Sequence, residues 1–170
     1  MQRELPVRKH PRLNGYDYSS NGAYFLTFCV KGRHEMLGQI VGRDAPGAPF
    51  MRLSEYGIII KKEIEETHLH YTNIIVDNFV IMPNHVHMIL ILSNDDGAPR
   101  AARPTNALVP NLISIMKKKT NKKYGFSMWQ TSYHDHIIRN EADYQRIFQY
   151  IEENPIKWQE DRYYSLGINT

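Results

Sequence analysis

Hydrophobic and polar positions along the chain predict a short series of strands broken by two or three helices. Tyr24-Phe25-Leu26-Thr27-Phe28-Cys29-Val30 is dense in aromatic and β-branched residues and reads as the first strand. Glycines and prolines at 38, 42, 46, 47 and 49 break residues 31–52 into a loop with room for a short hairpin. Ser54 is placed to cap a helix running to about Thr67, carrying Ile58, Ile59, Ile60 and Ile64. Two strands follow, Asn73 to about Met82 and His85 to about Leu92, and the tight-turn pair Pro83-Asn84 between them makes them antiparallel. A polar loop from Ser93 to Pro104 leads to a helix from about Val109 to Lys123, a short strand near His134 to Arg139, and a last helix opening at Asn140.

The order β-α-β-β-α-β-α is that of an α+β ferredoxin-like split sandwich with an antiparallel sheet and one additional C-terminal helix. Residues 1–22, polar and turn-rich, are expected to be an irregular arm, and residues 23–170 one domain. At 170 residues and 42% hydrophobic content the chain supports a single sizeable core. It holds no apolar stretch near 18 residues and no signal-peptide core, so a cytoplasmic protein without a membrane partner is expected. The lone Cys29 rules out an internal disulfide and a cysteine-rich zinc site, which leaves any metal to His, carboxylate or amide ligands.

Such ligands are present. In Met82-Pro83-Asn84-His85-Val86-His87-Met88 the histidines are two apart on a strand, so both imidazoles point to one face while Val86 and Met88 enter the opposite layer. Their Cα atoms should lie roughly 6.5–7 Å apart, from which both rings can converge on one ion. In the last helix Tyr144, Ile147, Phe148 and Ile151 form the core stripe, so Tyr144 is expected in the core. Tyr150 lies on a flank about 110° away, sharing its face with Asn154 just before Pro155. A phenol beside a two-histidine metal site suggests attack of a tyrosine on phosphorus, with Mg²⁺ or Mn²⁺ as the ion.

A net charge of +3 permits nucleic-acid binding without requiring it. Lys117, Lys118, Lys119, Lys122 and Lys123 cluster near a helix end, and Arg8, Lys9 and Arg12 form a second basic patch. Phosphate binding and a solvated helix terminus both account for the lysines. His134 and His136 alternate on the short strand, and one of them is expected to line the site. Trp129 and Trp158 are expected as core anchors.

The strings Pro83-Asn84-His85-Val86-His87, His136-Ile137-Ile138-Arg139-Asn140 and Tyr150-Ile151-Glu152-Glu153-Asn154-Pro155, with Asn14-Gly15-Tyr16-Asp17-Tyr18-Ser19 near the start, resemble the REP-associated tyrosine transposases. These are relatives of the single-tyrosine HUH transposases of small insertion sequences. The resemblance covers nearly the whole chain. It implies a ferredoxin-like domain acting on single-stranded DNA folded into hairpins, with His85 and His87 binding a divalent ion. It further implies that Tyr150 takes a 5′ phosphate covalently, leaving a free 3′ hydroxyl for later rejoining. The third ligand would be Asn154, which has a shorter arm than the Gln that insertion-sequence relatives carry there. Those relatives act as dimers, so the resemblance leaves room for a homodimer. Two other readings stay open: a hairpin-binding protein of this fold without cleavage, and a nickase like a relaxase or replication initiator.

Overall fold

A computed structural model describes residues 16–42, 47–93 and 108–164. Arg8, Lys9 and Arg12 lie outside them. Strand β1 (Gly22–Cys29) is followed by a hairpin of β2 (Gly38–Val41) and β3 (Phe50–Leu53), helix α1 (Glu55–Glu65) and a single extra turn α2 (Thr67–His70). Then come β4 (Ile74–Met82), β5 (His85–Leu92), α3 (Leu108–Tyr124), β6 (His134–Ile138) and α4 (Glu141–Glu153). The four main strands form one antiparallel sheet in the order β4-β5-β1-β6, which is the ferredoxin-like arrangement the element order implied. The hairpin between residues 31 and 52 is also present, as a separate two-stranded sheet.

Alternation along β1 and β5 divides the molecule into two layers. Tyr24, Leu26 and Phe28 with Val86, Met88, Leu90 and Leu92 face one side, where Ile60 and Ile64 of α1 and Val109, Leu112, Ile113 and Met116 of α3 complete the main core. The opposite face carries Phe25, Thr27, His85, His87 and Ile89, and α4 closes part of it by packing Ile147 and Ile151 on Ile89. Because β5 lies between β4 and β1 and is covered on both faces, all but one of its residues are buried. The two-residue turn Pro83-Asn84 joins β4 and β5 with Met82 opposite His85.

Helix α4 is set by its ends and flanks. Asn140 Oδ1 caps it by accepting from the Asp143 amide at 2.9 Å. A bulge in β4 between Val76 and Asn78 presents Asp77 and Asn78 to the helix: the Tyr144 hydroxyl donates to Asp77 at 2.5 Å, and Asn78 Nδ2 donates to Glu152 at 3.1 Å. Tyr144 is therefore a half-buried anchor and not a core residue; its ring packs on the Ile147 cluster, while the Asp77 carboxylate pushes its phenol up to about 12. Trp129 and Trp158 are both buried, as expected of core anchors, with Trp129 Nε1 donating to Thr120 at 2.7 Å.

The lysine run divides. The buried positions of α3, namely Val109, Leu112, Ile113, Met116, Lys117 and Thr120, follow helical spacing and put Lys117 on the inward stripe. Its ammonium donates to the carbonyls of Gln130 at 2.8 Å and Ser132 at 2.9 Å, and Lys119 pairs with Glu63 at 2.7 Å. Lys118, Lys122 and Lys123 are exposed, on the layer opposite α4. Lys117→Met leaves two carbonyls unpartnered, and urea unfolding is expected to register a loss of about 1–3 kcal/mol. Replacing Lys118, Lys122 and Lys123 together by Ala should leave stability within about 0.5 kcal/mol. If these three track DNA, the salt dependence of binding flattens by about 0.7 in log–log slope per lost contact. A stability-neutral Lys117→Met would contradict the structural assignment.

Candidate functional site

His85 and His87 are both fully buried, and their Nε2 atoms lie 2.9 Å apart. Each ring is fixed from behind. Asn84 spends both amide protons on the carbonyls of Arg33 (3.1 Å) and Tyr163 (2.9 Å), so its Oδ1 faces His85 Nδ1 at 2.8 Å and that nitrogen must carry the proton. The lone pair of His85 is thus left on Nε2, aimed into the site. His87 Nδ1 lies 2.7 Å from the Thr27 hydroxyl, which can donate or accept, so His87 can present either a proton or a lone pair at Nε2 without losing its partner. The Tyr163 ring packs on His85 with centroids 4.5 Å apart, and the Trp158 ring lies 5.8 Å from the same imidazole. Burial holds both imidazoles neutral, pushing His85 down to about 4 and His87 well below its ordinary value.

Tyr150 projects from the flank of α4 toward this pair, 37% exposed. Its hydroxyl lies 3.1 Å from His87 Nε2 and donates to Asp161 Oδ2 at 2.9 Å. The Tyr150 ring meets His87 and Phe25 at centroid distances of 5.1 and 6.1 Å. Partial burial and then the Asp161 carboxylate raise its pKa well above that of a free phenol, so the group is a protonated alcohol at neutral pH. The tyrosine of one chain reaches the histidines of the same chain.

Asn154 is buried, and its Nδ2 also donates to Asp161 Oδ2, at 2.9 Å. Its Oδ1 is buried without a hydrogen-bond partner. Asp161, which sequence reasoning missed, joins these residues; its other oxygen accepts from the Tyr163 amide at 2.7 Å. His85, His87 and Asp161 form a cluster whose potential ligand atoms all lie within 4.8 Å of one another. The segment from Asp161 to Tyr163 has no periodic pattern, so only the acid-base-aromatic string Asp161-Arg162-Tyr163-Tyr164 close after Pro155 could have flagged it.

Two clefts open on either side of Tyr150. One, of about 470 Å³, is lined by Phe25, Thr27, His134, His136, Arg146 and Arg162; the other, of about 370 Å³, by Gln149, Glu153, Lys157 and Glu160. His134 and His136 thus both border the site. His136 Nε2 lies 2.7 Å from Asp143, which also binds Arg146 at 2.6 Å. Among the described residues no helix is long and apolar enough to cross a membrane.

Set against known proteins, residues 18–154 match the sequence profile of IS200-like transposases. A Haemophilus influenzae protein without an assigned function is 32% identical over 174 residues, covering 92% of this chain and 93% of its own length. Another Haemophilus influenzae protein, carrying the provisional description REP-associated tyrosine transposase, is 27% identical over 146 residues, 83% of this chain and 74% of that one. Among solved structures, a REP-associated tyrosine transposase bound to a REP hairpin superposes with a TM-score of 0.61 at 21% identity, over 86% of this chain and 73% of that one. At that identity the likeness speaks for the fold.

Proposed function

The chain belongs to the IS200-like transposase family, and on that premise we propose that it is a metal-dependent single-strand DNA transesterase that cuts at hairpin sites through Tyr150 and rejoins strands. The observation that carries this reading is the Tyr150 hydroxyl 3.1 Å from His87 Nε2 and 2.9 Å from an Asp161 oxygen that can accept its proton. Attack forms a bond from Tyr150 Oη to phosphorus and breaks the bond to the 3′ oxygen. The phenolic proton passes to Asp161, and the 3′ oxygen takes one from water. Since phosphotyrosine preserves the diester, the 3′ hydroxyl can reverse the step, so rejoining needs no nucleotide.

The residues present fit a divalent ion. Two ligands bound at about 2.1 Å and at a right angle stand about 3.0 Å apart, which suits the 2.9 Å between the histidine Nε2 atoms. The unpartnered Asn154 Oδ1 is a further donor, and the Asp161 carboxylate stands beside these atoms. His85, His87 and Asn154 would hold the ion, with Mg²⁺ and Mn²⁺ both suited to this nitrogen and oxygen set, which leaves Asp161 to serve the phenol. When bound, it supplies positive charge to polarise the phosphate. Thr27 and Asn84 orient the rings, Asp161 holds the phenol and receives its proton, and Phe25 shields the hydroxyl's flank. Lys118, Lys122 and Lys123 are proposed to contact DNA away from the chemistry, and the cis arrangement of Tyr150 and His87 supports action by one chain without a partner's helix.

An end-labelled hairpin with a single-stranded flank tests this. With Mn²⁺ or Mg²⁺ the protein should yield one fragment ending in a 3′ hydroxyl and the other joined to protein, and a chelator should abolish both products. Tight hairpin binding with no cleavage in either ion would instead favour a binding protein of the same fold.

A further inference from the structure

The proposed transesterase step brings a phosphodiester anion beside the Asp161 carboxylate, which repels it. A divalent ion at the histidine pair would offset part of that repulsion, and a side-chain cation in the cleft can offset more of it. The cleft on the Phe25 side of Tyr150 contains two arginines. Arg146 is occupied: its guanidinium lies 2.6 Å from Asp143, whose other oxygen takes His136. Arg162 makes no ion pair among the described residues, is exposed, and lies one residue after the acid that holds the nucleophile.

Its placement is not that of a loose surface side chain. The Arg162 guanidinium lies 4.7 Å from the centroid of the Tyr163 ring, and Nη2 donates to the Tyr163 hydroxyl at 2.5 Å. Its carbonyl accepts from Arg33 Nη1 at 3.1 Å, and Tyr163 is itself buried against His85. One face of the fork is thereby fixed to the wall of the metal site, while its remaining donors are free for the cleft.

We propose that Arg162 is a catalytic residue that binds the non-bridging oxygens of the phosphate attacked by Tyr150. The proposal rests on the transesterase reading and adds a group to it. A planar guanidinium matches two phosphate oxygens in a way an ammonium does not. Arg162 keeps its own protons throughout. Only the Tyr150 Oη–P bond forms and the P–O3′ bond breaks, with the phenolic proton on Asp161.

The test compares adduct formation in single turnover by the wild-type chain, Arg162→Ala and Arg162→Lys. Each is given a hairpin substrate with a normal scissile phosphodiester, or the same substrate with a methylphosphonate there, which has no negative charge. Arg162→Ala is expected to slow the phosphodiester about 100-fold but the methylphosphonate less than about threefold, because a neutral centre needs no cation. Arg162→Lys should recover part of the rate on the phosphodiester, and hairpin affinity should hold in both variants. Equal fold losses on the two substrates would mean that Arg162 only supports the fold around Tyr163 and would overturn the proposal, as would an unchanged phosphodiester rate. If the wild-type chain forms no adduct with either substrate, the transesterase reading falls and this proposal with it.

Discussion

Tyr150→Phe is expected to abolish the covalent protein–DNA adduct while hairpin binding stays within about twofold. The ring contacts with Phe25 and His87 are kept, and only the oxygen that would bond to phosphorus is lost. Removing a covalent nucleophile costs on the order of 10⁴-fold or more, because no neighbouring group can take its place. Asp161 keeps its bonds from Asn154 and the Tyr163 amide, so folding stability should move by only about 1 kcal/mol. Tyr144→Phe is the control. Its hydroxyl ties α4 to Asp77 far from the histidine pair, and it should still form adduct. An adduct in Tyr150→Phe that disappears in Tyr144→Phe would reverse the assignment.

Removing a histidine should also be strongly damaging. His87→Ala takes away one of the two converging imidazoles and the nitrogen beside the Tyr150 hydroxyl, and leaves the Thr27 hydroxyl facing a void. Adduct formation is expected to fall at least about 100-fold, with a raised requirement for Mn²⁺. The same pair makes stability depend on pH. The folded His85 titrates at about 4, whereas an unfolded histidine titrates near 6.5. Between those values the unfolded chain binds the proton and the folded chain does not, so in the presence of a chelator stability declines as pH falls from about 6.5 toward 4 and then levels for this group. The paired carboxylates Asp143 and Glu153 have depressed pKa values, so their stabilising effect disappears in a more acidic range. Urea midpoints measured from pH 7 to 4 should therefore flatten in a His85→Gln/His87→Gln double variant; a slope equal to that of the wild type would remove the buried histidines as the cause.

What the sequence discloses and what it conceals follow from periodicity. A period of two put His85 and His87 on one face of β5, and a period of 3.6 separated Tyr150 from the Ile147 and Ile151 stripe. Both are local regularities that the backbone enforces. Lys117 was legible by the same rule, since it lies four residues after Ile113 on the buried stripe of α3, but a block of like charges hides a single member that turns inward. Tyr144 lies on its stripe as expected, yet a bulge in β4 that no pattern marks supplies the carboxylate that draws its hydroxyl out of the core. Asp161 and Arg162 reach the site only because the chain folds back after α4, and an irregular segment carries no periodic signal of where it will pack. The third element of the site was therefore set by tertiary structure, whereas its first two were set by strand and helix geometry.

The central claim is that one hydroxyl of this chain becomes bonded to DNA phosphorus, and mapping that bond tests it most directly. The protein is incubated with Mn²⁺ and a hairpin substrate labelled on the 3′ side of the cut, digested with protease and nuclease, and the peptides are sequenced by mass spectrometry. The expected result is a nucleotide 5′ phosphate on Tyr150 alone, with an unmodified 3′ hydroxyl on the released strand. A phosphate on any other residue, or cut DNA with no phosphopeptide, would contradict the account.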